Sequence, residues 1–165
     1  MPRFIYYTLI LLIAHSLRSF AQTPPPHVGD IPFDSRLDDS SFHLCDTAIV
    51  FQYYNTGSYF LKNKDSLGRY FLSQFIFVPE AARESGYITV KFVINCKGLT
   101  GRFRVYGMDS GYQAARFNER LSGELLSLVK HWKFWEPASY GGKIFDSYQY
   151  ITFRIRNGNI ISISP

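Results

Sequence analysis

The sequence predicts an α+β fold, an antiparallel sheet with helices packed on one face. Three observations carry that expectation. Residues 87–94 and 144–156 alternate apolar and polar side chains with a period of two, the mark of half-buried strands. Between them, Phe117, Leu121, Leu125, Leu128 and Trp132 recur at helical spacing and form one apolar stripe. Asn157-Gly158 then ends the second stretch with a two-residue hairpin signal, since the favoured turn needs positive φ at both positions.

Composition sets the frame for these elements. A chain of 165 residues accommodates one domain with at most a small appendage. With 46% hydrophobic and 19% charged residues it is a globular composition. The formal charge of +5 comes without any Lys/Arg run, so nucleic acid is not expected as a partner. Two cysteines exclude a disulfide-dense mini-protein and a four-cysteine zinc site.

Residues 1–21 read as a secretory signal peptide. Arg3 is followed by an apolar run from Phe4 to Ala14, too short for a membrane span of about 20 residues. Ser19 and Ala21 supply the small residues of a cleavage site before Gln22. The expected product is periplasmic or otherwise exported, and it touches the membrane only by proximity. If the segment stays uncleaved, it becomes an anchor.

Residues 22–41 hold Pro24-Pro25-Pro26, Pro32 and Asp38-Asp39, and read as an extended or disordered Pro-containing lead. Residues 42–75 read as an N-terminal helical appendage. Asp46 is a candidate cap for a short helix, although Ile49, Val50 and Phe51 equally suit a strand. Asp65 is a candidate cap for a second helix with Leu67, Tyr70, Phe71 and Phe75 on one face, weakened by Gly68.

The main domain is expected over residues 76–165. Ile88, Val90, Phe92 and Ile94 face one way in its first strand, and Tyr87, Thr89, Lys91 and Val93 the other. Lys97-Gly98 turns the chain into a second strand over 100–106, which makes an antiparallel hairpin. The helix is expected over 112–132, with Asp109 or Ser110 as its cap. In the strand over 144–156, Gln149, Ile151, Phe153 and Ile155 share one face. Tyr148, Tyr150, Thr152, Arg154 and Arg156 share the other. Residues 159–164 are a candidate short return strand.

This succession resembles a known family. Pro79-Glu80-Ala81-Ala82-Arg83 leads into the first strand, Trp132-Lys133-Phe134-Trp135-Glu136-Pro137 leaves the helix, and Tyr150-Ile151-Thr152-Phe153-Arg154-Ile155 runs into Asn157-Gly158. Together they are similar to the C-terminal domain of TonB, especially in its Bacteroidota form, over about residues 76–160. The resemblance implies a three-stranded antiparallel sheet with helices on one face. It also implies a protein or peptide partner, such as a segment of an outer-membrane transporter, that joins the sheet edge as an extra strand. The short lead and the cleavable N-terminus depart from an energy transducer and leave the binding role. Two alternatives stand beside it: a stand-alone envelope structural or assembly protein whose sheet edge is closed, and an anchored transducer if the N-terminus is retained. The return strand decides whether the edge near 147–156 is open. A long exposed edge also makes a homodimer plausible by strand exchange.

The candidate partner-binding residues are Tyr148, Tyr150, Thr152, Arg154 and Arg156. The two tyrosines suit peptide or glycan contact, or equally packing beneath the appendage. The arginines, with Arg102 and Arg104, suit an anionic partner or a solvated face that discourages edge aggregation. Cys45 and Cys96, in an exported chain, are expected to form a disulfide that pins the appendage to the end of the first strand; two separate buried thiols are the other reading. His27, His43 and His131 are too scattered for a metal. There is no phosphate loop, no nucleophile elbow and no His-Glu metal helix, so neither an enzyme nor a cofactor is expected.

Overall fold

The computed structural model describes residues 30–52 and 59–164. The expected signal peptide over 1–21, the start of the lead and the turn at 55–58 lie outside the described residues.

Among the described residues, six strands and two helices make an α+β domain. In chain order they are β1 (Val50–Gln52), α1 (Tyr59–Gln74), β2 (Gly86–Ile94), β3 (Thr100–Met108), α2 (Glu119–His131), β4 (Ala138–Tyr140), β5 (Lys143–Arg156) and β6 (Asn159–Ser164). A single 3-10 turn, Pro79–Ala81, precedes β2.

The sheet is built around β5. Its antiparallel partner β2 runs from Gly86 opposite Ile155 to Ile94 opposite Ser147. β3 lies on the far side of β2, and a bulge between Lys91 and Val93 shifts its register. Along β5, β6 pairs antiparallel with Thr152–Arg156, β1 pairs parallel with Asp146–Tyr148, and β4 pairs antiparallel with Lys143–Phe145. The sheet is therefore mixed and six-stranded where the family resemblance implied three antiparallel strands. The parallel pair arises because β1 reaches β5 from outside the hairpin order, tied there by contacts described below.

Period-two alternation places the residues as expected. Ile88, Val90, Phe92 and Ile94 join Ile151, Phe153 and Ile155 in the main core. α2 covers them with Leu121, Leu125, Leu128 and Val129, and α1 with Leu67 and Phe71. Aromatic edges fix the layers: Phe71 meets Phe153 at 5.5 Å and Trp135 meets Phe92 at 4.8 Å between ring centroids. Trp135 also donates its indole N–H to the carbonyl of Val129. Of the two tryptophans at the helix exit, Trp135 fills the core and Trp132 packs half-buried at its rim against Tyr70.

Two helix boundaries differ from expectation. α2 starts at Glu119, capped by the Asn118 side chain, which accepts from the N–H groups of Arg120 and Leu121. Asp109 instead closes a loop, accepting from the N–H groups of Gly111 and Gln113. The apolar periodicity ran back through Phe117, but that ring packs under the loop beside Gly86 and Gly107 rather than on a helix. In α1, Asp65 sits inside the helix and not at its cap.

The turn between β5 and β6 has positive φ at both Asn157 (50°) and Gly158 (74°), as the hairpin signal requires. A Cβ on Gly158 would lie 2.7 Å from the carbonyl oxygen of Ala81, so glycine is needed there for space as well as for conformation.

Candidate functional site

The helices cover one face of the sheet. On the other face a segment of the chain's own N-terminal region, residues 30–46, lies across β2, β3 and β5 as a strap. Ile31 is buried with Val93 and Tyr148, and Phe42, Leu44 and Val50 pack around them. Asp38 forms a two-pronged ion pair with Arg104, at 2.7 and 2.8 Å. Its side chain is 1% exposed, and the guanidinium holds its carboxyl below the usual carboxylate range. Arg104 also donates to the carbonyl of Pro32, and Arg102 to that of Ile31. Residues 30–41 are thus folded, although their Pro and Asp content reads as a disordered lead. Of the acidic pair in that lead, Asp38 supplies the strap's ion pair, while Asp39 accepts from the N–H of Ser41 in a local turn.

The strap ends in a latch. Cys45 and Cys96 form a disulfide across 51 residues of chain. Beside it the carboxylate of Asp146 is buried, 1% exposed, and accepts three backbone N–H groups: Cys45 and Asp46 on Oδ2, Cys96 on Oδ1. Asp46 does not cap a helix; its side chain accepts from the N–H of Ala48 in a short turn before β1. The two sulfurs and the Asp146 carboxylate lie within 4.8 Å of one another, the one such cluster among the described residues. Bonded to each other, the sulfurs are no thiolate ligands, and the carboxylate is occupied by N–H donors, so the cluster is a structural latch.

The five candidate binding residues lie on one side of β5 but do not form one site. Tyr148 is buried beneath the strap, and burial pushes its phenol up, with the negative charge of Asp30 adding to it. Tyr150 is half-buried, with the Lys91 Nζ 5.8 Å from its ring centroid. Thr152 hydrogen-bonds Thr89, oxygen to oxygen, at 3.0 Å. Arg154 and Arg156 are exposed and make no ion pair among the described residues. The edge of β5 is covered by β6 over Thr152–Arg156 and by β1 over Asp146–Tyr148.

Two open surfaces among the described residues bear on binding. One is the outer edge of β6, which pairs only with β5 among the described residues. Beside it, Asp65, Gly68, Arg69 and Leu72 of α1 and residues 160–163 of β6 line a groove of about 460 Å³. Leu72 and Ile161 stand exposed there, at 57% and 42%. The other is the part of the sheet face that the strap leaves uncovered. It carries Tyr87 and Tyr106, joined by Tyr112 from the loop after β3.

Sequence reasoning missed Asp146, Asp38 and Tyr112 as structural or surface residues. Asp146 had a readable signal, a lone acid on the same side of the strand as Tyr148. Tyr112 had none, because its segment read as helix. Compared with family models, curated proteins and solved structures, the chain matches none of them. Among the described residues no helix is long and apolar enough to cross a membrane.

Proposed function

We propose that the chain is an exported, non-catalytic binding domain of the TonB-like kind, which takes an extended peptide from a protein partner by strand addition. The reading rests on the family resemblance of residues 76–160 together with one observation, the unpaired outer edge of β6 beside an apolar groove. With the edge of β5 largely occupied, β6 offers backbone N–H and C=O groups to a newcomer and has the apolar groove beside it; the other outer edge, that of β3, is partly occupied by residues 113–115. Alternate side chains of the incoming strand would enter the groove past Leu72 and Ile161. The covering of β5 on both flanks also favours a second reading, a stand-alone envelope protein whose sheet edge is closed by its own chain.

One titration separates the two. Isotope-labelled protein is mixed with peptides copied from N-terminal segments of outer-membrane transporters. The binding reading expects amide shifts over residues 159–164 and in Leu72. No shift at about 1 mM peptide, where even a weak complex of roughly −4 kcal/mol is half-formed, leaves the closed-edge protein standing.

A further inference from the structure

We infer that the uncovered sheet face is a second binding surface, and that its ligand is an acidic saccharide, a sugar chain bearing carboxylate or phosphate groups. It lies on the face opposite the helices, away from the α1–β6 groove.

The aromatic part comes first. Tyr87 and Tyr112 stack at 5.3 Å between centroids with their planes 17° apart. Their hydroxyls are 3.3 Å apart. Tyr112 is nonetheless 68% exposed, so the ring face turned away from Tyr87 meets solvent. Tyr106 is 52% exposed and lies opposite Thr89, one diagonal step from Tyr87, about 7 Å in an antiparallel pair. Tyr112 thus presents an outward ring face above Tyr87, and Tyr106 stands beside them on the same face of the sheet. Ring faces suit the C–H face of a pyranose, and the phenol hydroxyls suit its hydroxyl groups.

Charge narrows the ligand. The Lys91 Nζ sits 5.3 Å from the Tyr106 centroid. Arg154, which lies opposite Tyr87, borders the other side of this aromatic group. At its end Ser85, Gly86, Ser110, Arg154 and Arg156 enclose a pocket of about 170 Å³, the size of a carboxylate or phosphate with its water. The acidic groups at the border are committed elsewhere: Asp38 to Arg104, and Asp109 to the N–H groups of Gly111 and Gln113. Three cations that make no ion pair among the described residues thus surround three rings, which is complementary to a polyanion with flat apolar faces. An acidic peptide meets the charge, but it lacks the C–H ring faces that stack on exposed tyrosines.

The test is a titration of the whole protein with hexagalacturonate, which has a carboxylate on every ring. Maltohexaose serves as the neutral sugar and hexaglutamate as the non-sugar anion. Hexagalacturonate should bind with Kd below about 1 mM and shift the amides of Tyr87, Tyr106, Tyr112 and Arg154, leaving Leu72 in the α1–β6 groove unmoved. Tyr112→Ala and Arg154→Gln each replace an exposed side chain, and unchanged thermal midpoints verify their folding. Each should weaken binding about fivefold or more, roughly one good aromatic or charged contact. Equal affinity for hexaglutamate, an undiminished affinity in Tyr112→Ala, or no binding at ~10 mM would overturn the inference.

Discussion

At the residue scale, the strap is held by groups whose ionisation matters. Asp38 is nearly inaccessible and lies between the two prongs of Arg104. Its carboxyl is depressed in the folded chain below the unfolded value of about 3.9. The stabilisation it supplies is therefore complete above that unfolded value and is lost as the pH falls through the lower folded one. Asp38→Asn should cost ~2 kcal/mol near neutral pH, the worth of charge-assisted bonds removed from a mostly buried site. The gap between wild type and variant should narrow as the solution is taken from about pH 5 toward pH 2. Urea unfolding midpoints across that range measure it, and a constant gap would show that the pair does not contribute through charge. Arg104 illustrates why its role was hidden in the sequence. An arginine on the polar side of a strand reads as solvated or partner-facing, whereas its partner here is an aspartate 66 residues earlier in the same chain.

At the element scale, β2, β3, β5 and β6 were legible because a two-residue period leaves little choice of face once one side is buried. The core stripe of α2 was legible for the same reason at helical period, but not its start. Phe117 prolongs the stripe by spacing alone, and only the loop beneath Gly107 takes it out of the helix. β1 and β4 are three residues each, below the length at which periodicity carries a signal. α2 also contains Gly123, exposed, with nothing within 4 Å of where a Cβ would stand. Gly123→Ala should raise stability by ~0.5–1 kcal/mol through helix propensity alone. A thermal midpoint that fails to rise would mean that the helix is already fixed by its packing. The open outer side of β6 leaves no trace in the sequence, because a strand's period is the same whether one or both of its edges are paired.

At the scale of the whole molecule, the helices and the strap enclose a sheet from opposite faces, and the two are secured differently. The helices rely on a continuous apolar core. The strap rests on a small cluster around Ile31, one ion pair, the Asp146 carboxylate and the Cys45–Cys96 bond. The disulfide was legible from cysteine count and the expected export, but the buried carboxylate beside it was not. Closing a loop of this length is worth up to ~4 kcal/mol by restricting the unfolded chain. Replacing both cysteines, Cys45→Ala with Cys96→Ala, should lower stability by up to that amount. It should also open residues 30–46 to protease well before the sheet. Simultaneous cleavage of strap and sheet would mean that they unfold as one unit, with no separate latch.

The strap also fixes an order in time. Its contacts reach forward by 51 residues to Cys96, 66 to Arg104 and 101 to Asp146. A chain made from its N-terminus therefore presents the strap first, long before anything exists for it to lie on. Closing such distances early would cost loop entropy that no local contact offsets. The strap is made before every partner it docks on and can be fixed only after them, so until β5 is made the Asp146 carboxylate that holds Cys45 in place is missing.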